Sequence, residues 1–90
     1  MTSSKRWTVD IFIDEHDESR STRAEARLHT QDATDLRGVG TATRNPKDVE
    51  VPEIGEELAA SRALADLAAA LRAAATSDIE QVSDRASHGW

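Results

Sequence analysis

The side chains most able to bind a ligand lie in one acidic segment, Asp14-Glu15-His16-Asp17-Glu18. Carboxylate oxygens are the ligands that hard cations such as Ca²⁺ prefer. The segment lacks the central glycine and the twelve-residue ligand spacing of a calcium-binding loop. Because runs of charge usually face water, we interpret it as a solvated loop between two strands. A metal-dependent enzyme that uses these acids and His16 is an alternative interpretation.

Other chemically active residue types occur without the spacing that their chemistry needs. The histidines His16, His29 and His88 include no pair four residues apart, and the chain has no cysteine, so we expect no zinc site. Gly38-Val39-Gly40 lacks the third glycine and the following helix of a phosphate-binding loop. No serine lies in a strand-turn-helix nucleophile motif. We therefore predict no catalytic residues, no bound metal and no cofactor.

Two segments with alternating polarity predict the first two strands. Residues 5–14 and 22–30 each place apolar or small side chains on one face and polar ones on the other. The polar residues 15–20 form the loop between them. The inward-facing set is Trp7, Val9, Ile11, Ile13, Thr22, Ala24, Ala26 and Leu28. We expect the first strand to be half-buried through its row of β-branched side chains.

A third strand is predicted at 36–42, and both it and the helix that follows carry small side chains on the surfaces that would face each other. Leu36, Gly38, Gly40 and Ala42 share one face of the strand, and the helix predicted from about residue 54 to 75 is rich in alanine and leucine. Glycine inside a strand often marks the close approach of another backbone. We therefore assign Gly38 and Gly40 to packing. The fold class is α+β: a three-stranded antiparallel meander packed on one long C-terminal helix, in two layers.

The helix sequence predicts which side packs and where the helix ends. One broad stripe carries most of its apolar residues, with Arg62, Asp66 and Ala69 opposite. Ser77 and Glu80 have capping-box spacing, so a short second helix at 77–84 and a simple continuation of the first helix are both open. We predict one domain over residues 5–84, with flexible termini at 1–4 and 85–90. The stripe consists of Ile54, Leu58, Ser61, Leu64, Ala65, Leu67, Ala68, Leu71 and Ala75.

Charge selects the register of the first two strands. Pairing Ile11 with Ala26 sets Asp10 opposite Arg27, whereas a slip of two residues sets Asp10 beside Glu25. Opposite charges facing each other across two strands contribute about 0.2–1 kcal/mol, and like charges cost a similar amount. We therefore predict the first register, in which the charges of the outer face pair with one another as Asp10–Arg27 and Asp14–Arg23.

Phe12 interrupts the polar pattern of the outer face. It lies in a row with Thr8, Asp10 and Asp14, and Val39 shares the same face of the sheet. Single exposed apolar residues are normal on protein surfaces. The more specific hypothesis is a partner surface at Phe12 and Val39, filled most simply by a second copy of the chain. The edge strands also offer unpaired backbone groups for strand addition.

Composition limits the classes of partner. Acidic residues outnumber basic ones by 17 to 11 in this chain of 90 residues, for a net charge of −6. Nucleic-acid affinity comes largely from cations at phosphates, so this balance disfavours a nucleic-acid partner. The alternative is a local basic patch. Its candidate residues are Arg20, Arg23, Arg27, Arg37 and Arg44.

The ends and the apolar content indicate a compartment. The polar sequence Met1–Arg6 is not followed by the apolar stretch of a signal peptide. The longest apolar run, near 68–71, is far shorter than the ~20 residues of a membrane span. The absence of cysteine fits a reducing environment. We therefore expect a cytoplasmic protein without a membrane partner.

Three segments carry a resemblance. Trp7–His16, the run Gly38-Val39-Gly40-Thr41-Ala42 with Asn45-Pro46, and Val51–Leu64 resemble a small actinobacterial family, domain of unknown function 1876. The resemblance covers residues 5–82. It implies a fold like that of double-stranded-RNA-binding domains, and it implies no activity and no catalytic residues.

The RNA-binding determinants of that fold are changed here. Those domains use a basic cluster at the start of the last helix, a histidine-bearing loop after the first strand, and an N-terminal helix. At the matching helix start this chain has Glu53, Glu56 and Glu57, and His16 lies among acids. No room for a helix remains before Lys5. The sequence therefore favours a non-enzymatic, self-associating interaction module, a homodimer with a protein partner of unknown identity, over a nucleic-acid-binding protein.

Overall fold

The computed structural model describes residues 2–31, 35–47, 49 and 51–86, with only the backbone described for 84–86. Its elements are β1 (Thr8–His16), β2 (Ser21–His29), β3 (Arg37–Thr43) and α1 (Pro52–Ala86). The strands form one antiparallel sheet in the order β1-β2-β3. The predicted three-stranded meander with one long helix is confirmed. Residues 32–34 between β2 and β3, and residues 87–90 of the predicted flexible C-terminus, lie outside the described residues.

The register between β1 and β2 is the predicted one. Ile11 pairs with Ala26, and Asp10 lies opposite Arg27. β1 extends to His16, so the connection to β2 is a tight turn at 17–20 rather than the longer loop expected from the polar sequence. In that turn Arg20 has a φ of 53°, and its amide donates to the carbonyl oxygen of Asp17.

The helix lies directly on the glycines of β3. A Cβ placed on Gly38 would come closer than 3.0 Å to the backbone of Ala63 and Leu67, and one placed on Gly40 would come equally close to the backbone of Ala59 and Ala63. Real Cβ atoms do not approach other atoms so closely, so only glycine fits at both positions. These contacts hold α1 over β3 and β2.

The predicted packing stripe of α1 is only partly right: Leu67 is buried and Leu71 packs at the core margin, but the buried Ala59 and Ala63 were not part of it. The side chains that face the sheet are Ala59, Ala63 and Leu67, while Leu58 and Leu64 are exposed. The prediction followed the stripe with the most leucine. Because β3 presents glycine to the helix, the helix must instead present its smallest side chains in order to approach closely.

The helix also runs farther than the predicted end at residue 75. It continues without a break through Thr76, Ser77 and Asp78 to Ala86. Of the two alternatives, the first helix therefore simply continues, and there is no separate second helix at 77–84. The Thr76 hydroxyl donates to the carbonyl oxygen of Arg72, one turn back, and therefore does not act as a cap. At 1.5 Å per residue, 35 residues span about 52 Å. Residues 75–82 are all exposed beyond the sheet.

The core is small in volume. Within the described part of the chain its buried apolar residues are mostly alanine, and no large side chain is fully buried. The members are Ala24, Ala26, Leu28, Ala42, Ala59, Ala63 and Leu67. Leu36 and Leu71 pack at its margin. The larger aliphatic side chains of β1 lie outside this core.

In the described ranges, no helix combines the length and the apolar character needed to cross a lipid bilayer.

Candidate functional site

One edge of the sheet is closed by the helix. The amide of Val39 donates to Asp66 Oδ2 over 2.8 Å, and Arg62 Nη1 donates to the carbonyl oxygen of Thr41 over 2.6 Å. These two backbone groups belong to the outer edge of β3, beside which the described part of the chain places no further strand. Arg62 and Asp66 therefore occupy positions that an added strand would use.

Sequence reasoning missed this role of Arg62 and Asp66, which it placed opposite the packing stripe. Their i, i+4 spacing was visible, and residues so spaced lie on one side of a helix. What the sequence did not reveal was the rotation of α1 on the sheet. That rotation brings the two side chains to the edge of β3.

The other edge of the sheet is open. β1 has almost no contact with α1, and all nine of its residues are exposed. The inner row is thus only about half-buried, as expected, and no described element buries it completely: Ile11 retains 39% of its surface, and Val9 and Ile13 are similar. The cause is the close packing of α1 on the glycines of β3. The helix axis therefore lies near the β3 edge of the sheet, and the helix does not extend over β1.

The flank of α1 nearest β1 is apolar. Leu64 and Leu71 lie on the side of the helix opposite Arg62 and Asp66, because successive residues turn by about 100°. Leu64 is exposed and Leu71 is partly buried. Together with Val9, Ile11 and Ile13 of β1, Leu64 and Leu71 line an apolar trough. We call this surface the β1 trough.

The outer face of the sheet carries an ion cluster centred on Glu25. Arg27 Nε donates to Glu25 Oε2 over 2.5 Å, Arg23 Nη2 lies 3.6 Å from Glu25 Oε1, and Arg37 Nη1 lies 4.0 Å from that same oxygen. The hydrogen bond from Arg27 lowers the pKa of Glu25. Burial opposes that shift, and the charges of Arg27, Arg37 and Arg23 reinforce it.

The ion pairs differ from those expected from the register. Arg27 and Arg23 bond to Glu25 on their own strand rather than to Asp10 and Asp14 on β1. The Asp10 carboxylate instead lies 2.9 Å from His29 Nε2. The predicted pairing of β1 with β2 is therefore correct. The predicted ion pairs are not, because each long arginine side chain reaches Glu25, two residues away on the same strand.

Phe12 and Val39 lie on the outer face, as predicted, but they do not form one patch. Each pairs with Glu25 from opposite sides, so a charged strand separates them. The Arg27 guanidinium stacks over the Phe12 ring, 5.1 Å from its centroid. Such a cation–π contact already covers part of the ring.

The acidic segment borders a cleft of about 280 Å³ at the start of α1. Glu15, His16 and Asp17 line it together with Arg20 and Arg44. Across the described residues, no three histidine, aspartate or glutamate side chains come together in a metal-binding arrangement. The segment therefore lies beside basic side chains as well as acidic ones.

Glu15 meets a second carboxyl group from the helix. A side-chain hydrogen bond with Glu56 raises the pKa of Glu15 above its ordinary value, and desolvation and the charges of Glu56 and Asp17 act in the same direction. Glu15 therefore holds its proton more tightly in the folded chain than in the unfolded one. This pair joins the inner row of β1 to the first turns of α1.

The comparisons find relatives of this chain in mycobacteria. A family model described as Rv2632c-like matches residues 5–88. Uncharacterized protein Mb1767 of Mycobacterium bovis is 51% identical over 78 residues, which cover 87% of this chain and 80% of that protein. Uncharacterized protein Rv2632c of Mycobacterium tuberculosis is 49% identical over 76 residues, covering 84% and 78%.

A solved structure shares the architecture. The crystal structure of Rv2632c superposes with a TM-score of 0.78 at 46% sequence identity, over 89% of this chain and 92% of that one. The three-stranded sheet and the single long helix are therefore a fold that the two proteins have in common.

Proposed function

The chain belongs to the Rv2632c-like family, and we propose that it is a non-enzymatic protein-interaction module that self-associates as a homodimer in the cytoplasm. One observation carries the proposal: the aliphatic side chains Val9, Ile11 and Ile13 of β1 lie outside the core, while the core itself consists mostly of alanines. Burial of apolar surface drives association as well as folding. A second copy would supply the burial that the single chain lacks.

The size of the chain supports the same proposal. A domain of 90 residues buries only about 60–65% of its unfolded surface and has little stability to spare. A core of alanines adds less apolar area than one of larger residues. Val9, Ile11 and Ile13 still expose 39%, 39% and 41% of their surface. Burial of that remainder against a partner would contribute roughly 0.6–1.2 kcal/mol each, the corresponding fraction of the about 1.5–3 kcal/mol for a fully exposed aliphatic side chain.

The nucleic-acid alternative finds less support. Three of its five candidate arginines, Arg23, Arg27 and Arg37, lie within 4.0 Å of Glu25, so their charge is partly neutralised. The helix start carries Glu53, Glu56 and Glu57, and acids repel a phosphate backbone. The likeness to double-stranded-RNA-binding domains stays a prediction about fold alone.

The enzyme alternative depends on the acidic segment. Its carboxylates lie beside Arg20 and Arg44 around the cleft, and such cations compete with a metal ion for the same oxygens. A thermal shift on adding Mg²⁺, Ca²⁺ or Mn²⁺ would support this alternative. We expect none.

The test of the proposal is the mass of the wild-type chain in solution. Sedimentation equilibrium over a hundredfold range of concentration should give twice the mass of a single chain at the upper end. Titration with duplex RNA and duplex DNA at low salt should show no binding. A single-chain mass at every concentration contradicts the proposal, and salt-sensitive binding to either duplex supports the alternative.

A further inference from the structure

We infer that two copies of the chain pair through the free edges of β1 and form one continuous six-stranded antiparallel sheet around a two-fold axis at Ile11. This inference rests on the proposed self-association. It adds the surface, the register and the reason why association stops at two copies.

The two edges of the sheet differ in how they are protected. Folded proteins protect edge strands with proline, bulges, lysine or a covering element. β3 has its cover, since Arg62 and Asp66 bond to the backbone of Thr41 and Val39. β1 is nine residues long, pairs with β2 without a bulge, and contains no proline, glycine or lysine. Its backbone groups on the free side meet no other described element.

Charge selects a second copy in one register. In an antiparallel pair around a two-fold axis, a residue on the axis faces its own copy, and directly opposed residues share a face. With Ile11 on the axis, Val9 faces Ile13 on the inner row and Asp10 faces Phe12 on the outer row. No acid then faces an acid, and no acid enters the inner row of β1 between Val9 and Ile13.

The neighbouring registers lack this complementarity. An axis at Asp10 sets that aspartate against its own copy, and an axis at Phe12 sets Asp10 against Asp14. An axis at Ile13 sets Ile11 against Glu15. Like charges directly opposed on paired strands are destabilising, and a buried unpaired acid costs more. An axis at Val9 also avoids acid pairs, but it would pair only residues 8–10 of the strand, whereas the axis at Ile11 pairs residues 8–14. The axis at Ile11 therefore joins the apolar rows over the longest stretch without opposing two acids.

Assembly stops at two copies because only one of the two sheet edges, that of β1, is free. When two β1 edges pair, the outer edges of the six-stranded sheet are two copies of β3. Both are already occupied by Arg62 and Asp66 of their own chain. A two-fold contact between identical surfaces is closed, so no edge remains for a third copy. The β1 trough of each copy then lies next to that of its partner, between the two helices.

The register can be read by disulfide cross-linking, because the chain has no cysteine of its own. In Ile11→Cys the two introduced thiols would lie across the axis, with Cα atoms about 5.5 Å apart, inside the range of about 4.4–6.8 Å that disulfides span. In the control Val9→Cys each thiol would lie about 14 Å from its own copy, four residues along the strand. Both variants are oxidised mildly and run on a non-reducing gel.

The outcomes separate this inference from the proposed function. We expect Ile11→Cys to form a covalent dimer that reductant converts back to single chains. The yield of covalent dimer from Val9→Cys should be at least tenfold lower. Equal yields, or no cross-link from an Ile11→Cys protein that sediments as a dimer, overturn the β1 register and leave self-association standing. A single-chain mass for the wild type at all concentrations overturns both.

A second set of variants covers the case in which the cysteine variants do not fold. Ile11→Lys and Ile11→Glu would each set like charges across the axis, so each should sediment as a single chain, while an equimolar mixture should recover the dimer. Val39→Lys is the matched control, since Val39 has nearly the same exposure, 37% against 39%, on the opposite face and the other edge strand. Its dimer should be unchanged. Loss of the dimer in Val39→Lys alone would place the contact on the outer face and overturn the inference.

Discussion

The two edges of the sheet are built in opposite ways. At β3 the strand has glycines in its buried row, the helix lies against them, and Arg62 and Asp66 bond to the outer backbone. At β1 the strand has Val9, Ile11 and Ile13 in the corresponding row, and no helix covers them. Large side chains therefore lie at the open edge and the smallest ones at the closed edge.

This difference shows how one helix can protect only part of a three-stranded sheet. Neighbouring strands are about 4.8 Å apart and a helix with its side chains is about 10 Å wide. A helix that descends onto glycine approaches one edge closely, and its distance from the opposite strand grows. The exposed side of α1, with Leu58 and Leu64, is part of the same consequence.

The largest expected effect is at the closed edge, in Gly40→Ala. The added Cβ would meet the backbone of Ala59 and Ala63 closer than 3.0 Å, and backbone cannot move aside without lifting the helix. We expect a loss of about 3 kcal/mol in the free energy of unfolding, at the upper end for overpacked sites. Urea denaturation measures it.

The matched control for that change is Gly55→Ala. The nearest atom to its added Cβ is the Thr22 hydroxyl at 3.0 Å, which can rotate, and alanine favours the helix by up to about 1 kcal/mol. A net change within about 1 kcal/mol is expected. If Gly40→Ala were as harmless as Gly55→Ala, the close seat of α1 on β3 would be wrong.

Leucine truncation on α1 should give the next largest difference. Leu67 is 3% exposed and packs against β3, whereas Leu58 is 44% exposed. Leu67→Ala should cost about 2–4 kcal/mol, because it leaves a cavity in a small core. Leu58→Ala should cost less than about 1 kcal/mol. Equal losses in urea denaturation would show that Leu58 packs as tightly as Leu67, and would contradict the orientation in which Ala59, Ala63 and Leu67 face the sheet.

A smaller effect is expected when the cap on β3 is removed. Asp66→Ala leaves the Val39 amide without its acceptor, at a cost of about 0.5–1.5 kcal/mol. The Val39 amide should also exchange with solvent markedly faster, as measured by NMR. Asp78→Ala, on the exposed end of α1, is the control and should alter neither quantity. Unchanged exchange at Val39 would mean that Asp66 does not close this edge.

The smallest effect should come from the acid pair at the end of β1. The pKa of Glu15 is raised in the folded chain by its hydrogen bond with Glu56, so the folded state binds this proton more tightly than the unfolded state. Stability is therefore lost as the pH rises above the ordinary value of 4.5 and through the raised pKa.

Replacing the titrating group tests that sign. Glu15→Gln keeps a hydrogen-bonding side chain and removes the charge, so its free energy of unfolding should exceed that of the wild type at pH 7 and approach it near pH 4. Glu18→Gln, in the following turn, is the control. A destabilised Glu15→Gln at pH 7 would show that the pair is not repulsive when both acids are ionised.

The sequence predicted much of this fold because strong local signals agreed with it. The alternation along residues 7–14 and 22–28 fixed both strands, and charge selected the correct register around Ile11 and Ala26. The paired glycines of β3 indicated a close helix. These signals depend only on neighbours along the chain or directly across one strand pair.

The failures concern distances and rotations that no local pattern encodes. The leucine stripe around Leu58 and Leu64 looked like the packing face, because hydrophobicity alone cannot tell that Gly38 and Gly40 demand alanine opposite them. The same error hid the contacts of Arg62 and Asp66 with β3. It also made β1 look covered, since three apolar residues in a row indicate burial but not whether the same chain provides it.

Amide hydrogen exchange on the wild-type chain, followed by NMR over a wide range of protein concentration, tests the contrast between the edges most directly. The account predicts that the edge-facing amides of β1 exchange more slowly as concentration rises, while Val39 stays protected throughout. Rates on β1 that are fast and independent of concentration, or a Val39 amide that exchanges as fast as they do, would contradict it.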